Sequence, residues 1–150
     1  MLSKVGFLII IIFTLNGCAG MRPEKLGLSD GRLKSCVNRQ NCVCSQDDPK
    51  DPSYVEPFAV SNDMVQEQVI AQVKSIALAF PRTTLVKETH NYLWIEFKTL
   101  LGFIDDVEFY YQAENQIIHF RSASRVGVYD LGKNRSRYNA IAKKLRQYFR

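Results

Sequence analysis

The chain has few of the residues on which common catalytic and metal sites depend. It contains two histidines, His90 and His119, and one tryptophan among 150 residues. No nucleophile-elbow motif is present, and the aspartates near residue 50 lack the spacing of an EF-hand loop. These absences disfavour a histidine-rich metal centre, a hydrolase of the elbow type and a calcium loop. We therefore predict no metal and no cofactor.

Long apolar runs and strong clusters of one charge are also absent. A stable membrane-spanning helix needs about 20 apolar residues, whereas the longest apolar run covers residues 5–15. The net charge is +5 at pH 7, from 20 basic and 15 acidic residues. Because a nucleic-acid-binding domain concentrates its basic residues more strongly, we expect no nucleic-acid partner.

The N-terminus has the order of an export signal. Lys4 precedes the apolar run, and Leu-Asn-Gly-Cys ends at Cys18. This order resembles a bacterial lipoprotein signal peptide, which implies removal of residues 1–17 and lipidation of Cys18. An ordinary secretory signal or an N-terminal anchor helix is the alternative.

The same resemblance implies a location. Ala19 is not the aspartate that favours retention at the inner membrane. We therefore expect a protein anchored by lipid in the outer membrane and facing the periplasm, or in the outer leaflet of the inner membrane if this sorting inference fails. Residues 18–34 show no sustained apolar period, and we predict a flexible, lipid-anchored tether there, followed by one domain over 35–150.

Three cysteines remain besides Cys18. In an oxidising envelope one pair should close, and Cys36 with Cys42 would form a small loop. Cys44 would then be a free thiol or an intermolecular partner. The alternative is that Cys36, Cys42 and Cys44 bind a soft metal.

Two segments have helical periodicity. Residues 62–80 repeat apolar side chains at helical spacing, with cap candidates at Ser61, Asn62 and Asp63, and Pro81 ends the pattern. A second amphipathic segment begins near residues 133–134, with Asn134 as its cap candidate.

Between the helices the apolar period changes to that of strands. Strands are predicted at 83–89, 92–98, 105–113 and 116–123, with a short edge strand within 54–60. We thus predict an α+β fold with a single antiparallel sheet of four to five strands and two main helices packed on one face.

The residue pattern on both sides of Glu114-Asn115 predicts how the two strands of this hairpin pair. With Ala113 opposite Gln116, Phe109 faces Phe120 on one side of the sheet, and Glu108 faces Arg121 on the other. A slip by one residue would destroy both the apolar face and the charge pairing.

Residues 121–135 are the most densely patterned segment: Arg-Ser-Ala-Ser-Arg, then Asp-Leu-Gly-Lys-Asn-Arg after four residues. Together with Gly-Phe-Ile-Asp-Asp-Val-Glu at 102–108 and the segment from Cys36 to Val43, it is similar to the bacterial and plastid domain-of-unknown-function family 1499. The resemblance runs from about Cys36 to Tyr148. It implies no reaction and no ligand.

The charged residues of these segments allow two interpretations. In the first, acidic residues pair internally with arginines and fix the loop geometry; they are Asp105, Asp106, Glu108 and Asp130. In the second, side-chain hydrogen-bond donors that are not used in internal pairs bind a carboxylate or phosphate near a helix N-terminus. The residues predicted for that ligand site are Arg121, Ser122, Ser124, Arg125, Asn134 and Arg135.

These observations favour a lipid-anchored cell-envelope protein that is a non-catalytic binding or accessory module. Its partner would be an anionic or amphiphilic small molecule or an envelope protein that the sequence does not identify. The first alternative is a hydrolase or transferase that uses His119 with Ser122 or Ser124. The second is a purely structural partner-binding lipoprotein, which would expose a large apolar patch.

Overall fold

The computed structural model describes residues 19–61 and 64–149. The predicted signal peptide, Cys18 and the cap candidates Asn62 and Asp63 lie outside the described residues. The elements in chain order are β1 (Cys42–Cys44), β2 (Phe58–Ala59), α1 (Gln66–Leu78), β3 (Thr83–Glu88), β4 (Tyr92–Lys98), β5 (Ile104–Gln112), β6 (Ile117–Ser124) and α2 (Lys133–Tyr148).

The strands form one antiparallel sheet in the order β1-β6-β5-β4-β3, and β2 also pairs with β6. The α+β class with one sheet and two helices is confirmed. The prediction of four to five strands is wrong, because the sheet has six. The unpredicted strand is β1, whose three residues pair with the outer edge of β6. A strand of three residues forms because its partner strand offers hydrogen bonds, and its own residue pattern is too short to predict it.

The register of the β5–β6 hairpin agrees with the predicted pairs. Phe109 lies opposite Phe120, and Glu108 lies opposite Arg121. The amide of Gln116 donates to the carbonyl of Ala113 over 3.2 Å and closes the turn. Because side chains alternate along a strand, Phe109 and Phe120 lie on one face and Glu108 and Arg121 on the other.

Helix α2 begins in a different way from the prediction. The carboxylate of Asp130 accepts hydrogen bonds from the amides of Gly132 at 3.0 Å and Asn134 at 2.7 Å. Asp130 thus satisfies the free N–H groups at the start of the helix. Asn134 is not the cap; it lies in the first helical turn with its side chain buried.

The two faces of the sheet are covered differently. Both helices pack on one face, where Val107, Phe109 and Phe120 join residues of α1 and α2 in the larger hydrophobic cluster. The opposite face carries a smaller cluster that includes Tyr92 and Trp94. Neither helix in the described part of the chain is long and apolar enough to cross a membrane.

Residues from the N-terminal third cover the second face. Cys36 and Cys42 form a disulfide with a Cα–Cα distance of 5.5 Å, which confirms the predicted pairing, and Cys44 is a buried free thiol. Leu33 is buried in the same cluster, and Arg22 forms an ion pair with Glu96. The tether over 18–34 stays a prediction, although several of its residues contact the sheet.

Candidate functional site

The face of the sheet away from the helices carries a connected set of charged side chains, which we call the ion-pair face: Glu96, Asp106, Glu108, Arg121 and Arg125. Arg121 Nη1 lies 2.7 Å from Glu108 Oε2. Arg125 contacts Asp106 through Nε at 2.9 Å and Nη2 at 2.7 Å, and Nη2 also lies 2.5 Å from Glu96. The sheet register places Glu108 opposite Arg121 and Glu96 opposite Asp106, and Arg125 follows directly after β6.

Aromatic side chains complete the hydrogen bonding of the ion-pair face. Tyr92 donates to Glu108 over 2.7 Å, and Trp94 Nε1 donates to Asp106 over 2.8 Å. Burial, with the charge of Glu108, raises the pKa of Tyr92 above its ordinary value. Hydrogen bonding to Asp106 raises the pKa of Arg125 further above its already high value. Tyr92 and Arg125 therefore keep their protons at neutral pH and are poor general acids.

A separate polar cluster lies on the helix-covered side of the sheet. Ser122 Oγ donates to Asn134 Oδ1 over 2.6 Å, and Asn134 Nδ2 donates to Ser124 Oγ over 3.0 Å. Arg137 donates to Ser122 over 3.1 Å and pairs with Asp105. These groups satisfy one another between β6 and the first turn of α2.

The six residues predicted to bind one ligand are consequently divided. Arg121 and Arg125 lie on the ion-pair face, whereas Ser122 and Ser124 point to the opposite face, because neighbouring strand residues alternate. Arg135 lies elsewhere and donates to the carbonyls of Pro52 at 2.5 Å and Tyr54 at 3.0 Å. No single cradle contains all six.

Three of the four predicted acidic residues pair with arginine. Asp105, Asp106 and Glu108 each do so, and the fourth residue, Asp130, caps α2. The arginine that serves Asp105 is Arg137. The strand register accounts for the pair of Glu108 with Arg121, whereas Asp105 contacts an arginine on α2.

His119 does not meet the serines predicted for catalysis. Its Nδ1 lies 3.3 Å from Ser45 Oγ, and its Nε2 lies 3.2 Å from Gln112 Oε1. Burial, and secondarily the charge of Arg32, lowers the pKa of His119. Ser45 also accepts a hydrogen bond from the amide of Phe120 over 2.8 Å, which ties the serine to the edge of β6.

Arg121 and Arg125 border a small chamber beneath the N-terminal segment. Its volume is about 130 Å³, whereas ligand pockets commonly measure about 300–1,000 Å³. Arg39 also lines it, and burial, together with the charge of Arg121, lowers the pKa of Arg39. The chamber is too small for an amphiphile.

A larger concave site lies at one end of the sheet. The loops 99–103 and 125–132 meet there and expose large apolar side chains, which we call the apolar end: Leu100, Leu101, Phe103, Val128, Tyr129 and Leu131. Leu100 and Leu131 are each 86% exposed. Surface patches of this kind mark interaction sites.

Next to these side chains is an open groove of about 580 Å³, which runs from Phe80 and Phe97 to Ala140 on α2. Its basic lining residues are Arg82, Lys98, Lys133 and Arg137. The one acidic lining residue, Asp130, is engaged at the helix N-terminus. Among the residues that the structure describes, neither Lys98 nor Lys133 forms an ion pair. The groove thus combines an apolar floor with unneutralised positive charge.

A family model described as "Protein of unknown function (DUF1499)" matches residues 32–145. The chain belongs to this family. No curated protein matches the chain. The DUF1499 match covers β1 to β6, most of α2 and the loops of the apolar end, so the groove lies within the family domain.

Sequence reasoning on this DUF1499 protein missed the groove. The sequence patterns make no prediction for Leu100, Leu101 or Leu131, which are exposed in the folded structure. Over 19–61 and 64–149, no group of three or more histidine, cysteine or acidic residues is placed to hold a metal ion. Burial raises the pKa of the Cys44 thiol to about 11, so the thiol stays protonated at neutral pH.

Proposed function

We propose that this protein is a lipid-anchored, non-catalytic binding module of the cell envelope that holds an anionic amphiphile in the groove beside the apolar end. The observation that carries the proposal is the pairing of an apolar floor with basic groups that have no ion-pair partner within residues 19–61 and 64–149. Phe103 and Leu131 supply apolar surface, and Lys98 and Lys133 supply charge.

The size and the chemistry of the groove agree with such a ligand. Its volume of about 580 Å³ falls within the usual range of small-molecule sites. Burying an alkyl chain against Leu101 and Phe103 removes apolar surface from water, which is favourable. A phosphate or carboxylate head group would reach the ammonium groups of Lys98 or Lys133 without first displacing a carboxylate.

The ion-pair face is less suited than the groove to bind an anionic ligand. Arg121 and Arg125 already bind Glu108, Asp106 and Glu96, so an anion there would compete with built-in carboxylates. We therefore place the ligand in the groove, and assign Arg121 and Arg125 to the support of the fold.

The proposal is tested by native mass spectrometry of the full chain extracted from membranes in mild detergent. Wild-type protein is expected to carry a bound anionic lipid. The substitution Ala140→Trp fills the groove from an exposed helical position and should abolish the adduct. The matched control is Asn139→Trp, on the same helix but outside the groove lining, and it should keep the adduct.

Two outcomes would overturn the proposal. One is wild-type protein without any bound lipid. The other is an adduct that survives Ala140→Trp unchanged, which would place the lipid outside the groove.

A further inference from the structure

We infer that the apolar end is the surface with which the protein lies against the anionic bilayer, so that the groove opens toward the membrane. The inference rests on the proposed function in two respects: a lipid on Cys18 would anchor the chain, and the groove would take its ligand from that bilayer. It concerns the orientation of the domain, which a lipid anchor alone leaves undetermined.

The two ends of the sheet differ in the residues that they expose. At one end lie the loops 99–103 and 125–132, with Leu101 79% and Val128 85% exposed. At the other end, the turns at 89–91 and 113–116 consist of polar residues apart from Ala113. The exposed apolar loop residues are therefore concentrated at the first end, as expected of a surface that enters the membrane interface. At the other end, Val65 is 58% exposed in the loop that follows the Val60–Gln116 contact.

The course of the N-terminal segment leads to the same end. Gly20 packs so closely on the β6–α2 connection that a Cβ there would lie 2.9 Å from both Arg125 Cβ and Val126 Cγ1. Val126, Phe103 and Tyr129 line one cavity, so Gly20 lies beside the apolar end. Met21, the next residue, is 93% exposed.

The short sequence separation between the predicted lipidation site and Gly20 limits how far the lipid can be from the apolar end. Two residues of extended chain span about 7 Å, and Cys18, the predicted lipidation site, precedes Gly20 by two positions. A lipid on Cys18 would hold this end, and not the polar turns, next to the head groups.

Charge complementarity selects a membrane over other apolar partners. Arg82, Lys98 and Lys133 border the exposed leucines, and the only acidic residue of the groove lining caps α2. Basic side chains beside inserted apolar residues are the usual pattern at anionic lipid surfaces. A second copy of this chain would bring the same positive charges together and is disfavoured.

The test uses tryptophan fluorescence of the full chain, purified from membranes and reconstituted into vesicles that contain phosphatidylglycerol and lipids brominated on the acyl chain. Leu101→Trp places a probe at the apolar end, and Asn115→Trp places one in the 113–116 turn at the opposite end. Trp94 is buried and contributes the same background to both variants.

Leu101→Trp is expected to shift to shorter emission wavelength and to lose at least half of the added fluorescence to the bromines. Asn115→Trp should behave like the wild type. Phe103→Trp, a less exposed position on the same loop, should be quenched as well, which guards against membrane affinity created by the new side chain at Leu101. Replacing phosphatidylglycerol with phosphatidylcholine should weaken the quenching.

The inference is overturned if Leu101→Trp and Phe103→Trp remain unquenched, or if Asn115→Trp is quenched to the same extent. If the tryptophans at positions 101 and 103 are unquenched, and chemical crosslinking joins two copies of the chain through this surface, the surface would be assigned to self-association. The lipid adduct seen by native mass spectrometry is a separate readout, since a groove ligand can persist without this orientation, and the orientation can persist without the ligand.

Discussion

The ion-pair face and the groove beside the apolar end both contain basic side chains, but only on the ion-pair face are these charges neutralised by carboxylates. On the ion-pair face, Arg121 and Arg125 are bound by carboxylates from neighbouring strands. At the apolar end, Lys98 and Lys133 have no ion-pair partner in the described residues and lie beside exposed leucines. The arginine–carboxylate contacts are internal to the fold, whereas the unneutralised charge beside exposed apolar surface is where we propose that the ligand binds.

The largest effect is expected from breaking the ion-pair face. Arg121→Met leaves Glu108 as an uncompensated buried charge, which should lower the free energy of unfolding by about 3–5 kcal/mol. The measurement is urea unfolding followed by the fluorescence of Trp94. The double variant Glu108→Gln/Arg121→Met should recover part of the loss, and a cost below about 1 kcal/mol for Arg121→Met would contradict the structural role.

A smaller loss of stability is expected in the polar cluster on the other side of the sheet. Asn134→Ala removes the partner of Ser122 and Ser124, which leaves buried polar groups unsatisfied at a cost of about 1–3 kcal/mol. The matched control is Asn139→Ala on the exposed side of α2, which should stay within about 0.5 kcal/mol of the wild type. Equal unfolding midpoints for the two variants would show that the cluster contributes nothing.

Removing the basic charges of the groove should weaken lipid binding and leave the stability of the fold unchanged. Lys98→Gln/Lys133→Gln removes two exposed charges, and we expect the unfolding midpoint to stay unchanged. The dissociation constant for an anionic lipid, titrated by native mass spectrometry, should rise about tenfold, which corresponds to about 1.4 kcal/mol. Loss of stability without loss of lipid would reverse the roles assigned to the two regions.

The smallest effect is expected in the pH dependence of the free energy of unfolding. Burial lowers the pKa of His119 below its ordinary 6.5, so the unfolded chain binds a proton more readily than the folded one just below pH 6.5. The stability should therefore fall as pH drops from 6.5 toward the folded pKa, and become constant below it. His119→Gln should flatten this part of the pH profile. An unchanged slope in His119→Gln would assign the titration to another group.

Much of the fold was predictable because its patterns are local. The alternation from Val107 to Tyr111 and from Ile118 to Ser122 fixed the hairpin register, and the pairing of Glu108 with Arg121 followed from it. Strand β1 was not predictable in this way, since its three residues form a strand only when the edge of β6 is available.

The candidate site was predicted less well, for two different reasons. Arg121 and Ser122 are neighbours in a strand, and strand geometry alone separates them onto opposite faces, so the single cradle conflicted with the predicted hairpin itself. The groove, in contrast, forms where two loops from different parts of the chain meet. Whether Leu100 or Leu131 is exposed or buried is not encoded in any local period.

The most direct test of the central claim is an experimental structure of the full chain purified from membranes with its native lipid. Our account predicts ligand density in the groove, with an acyl chain against Phe103 and Leu131 and a head group near Lys98 or Lys133. Density beside Arg121 in the small chamber, with an empty groove, would contradict it.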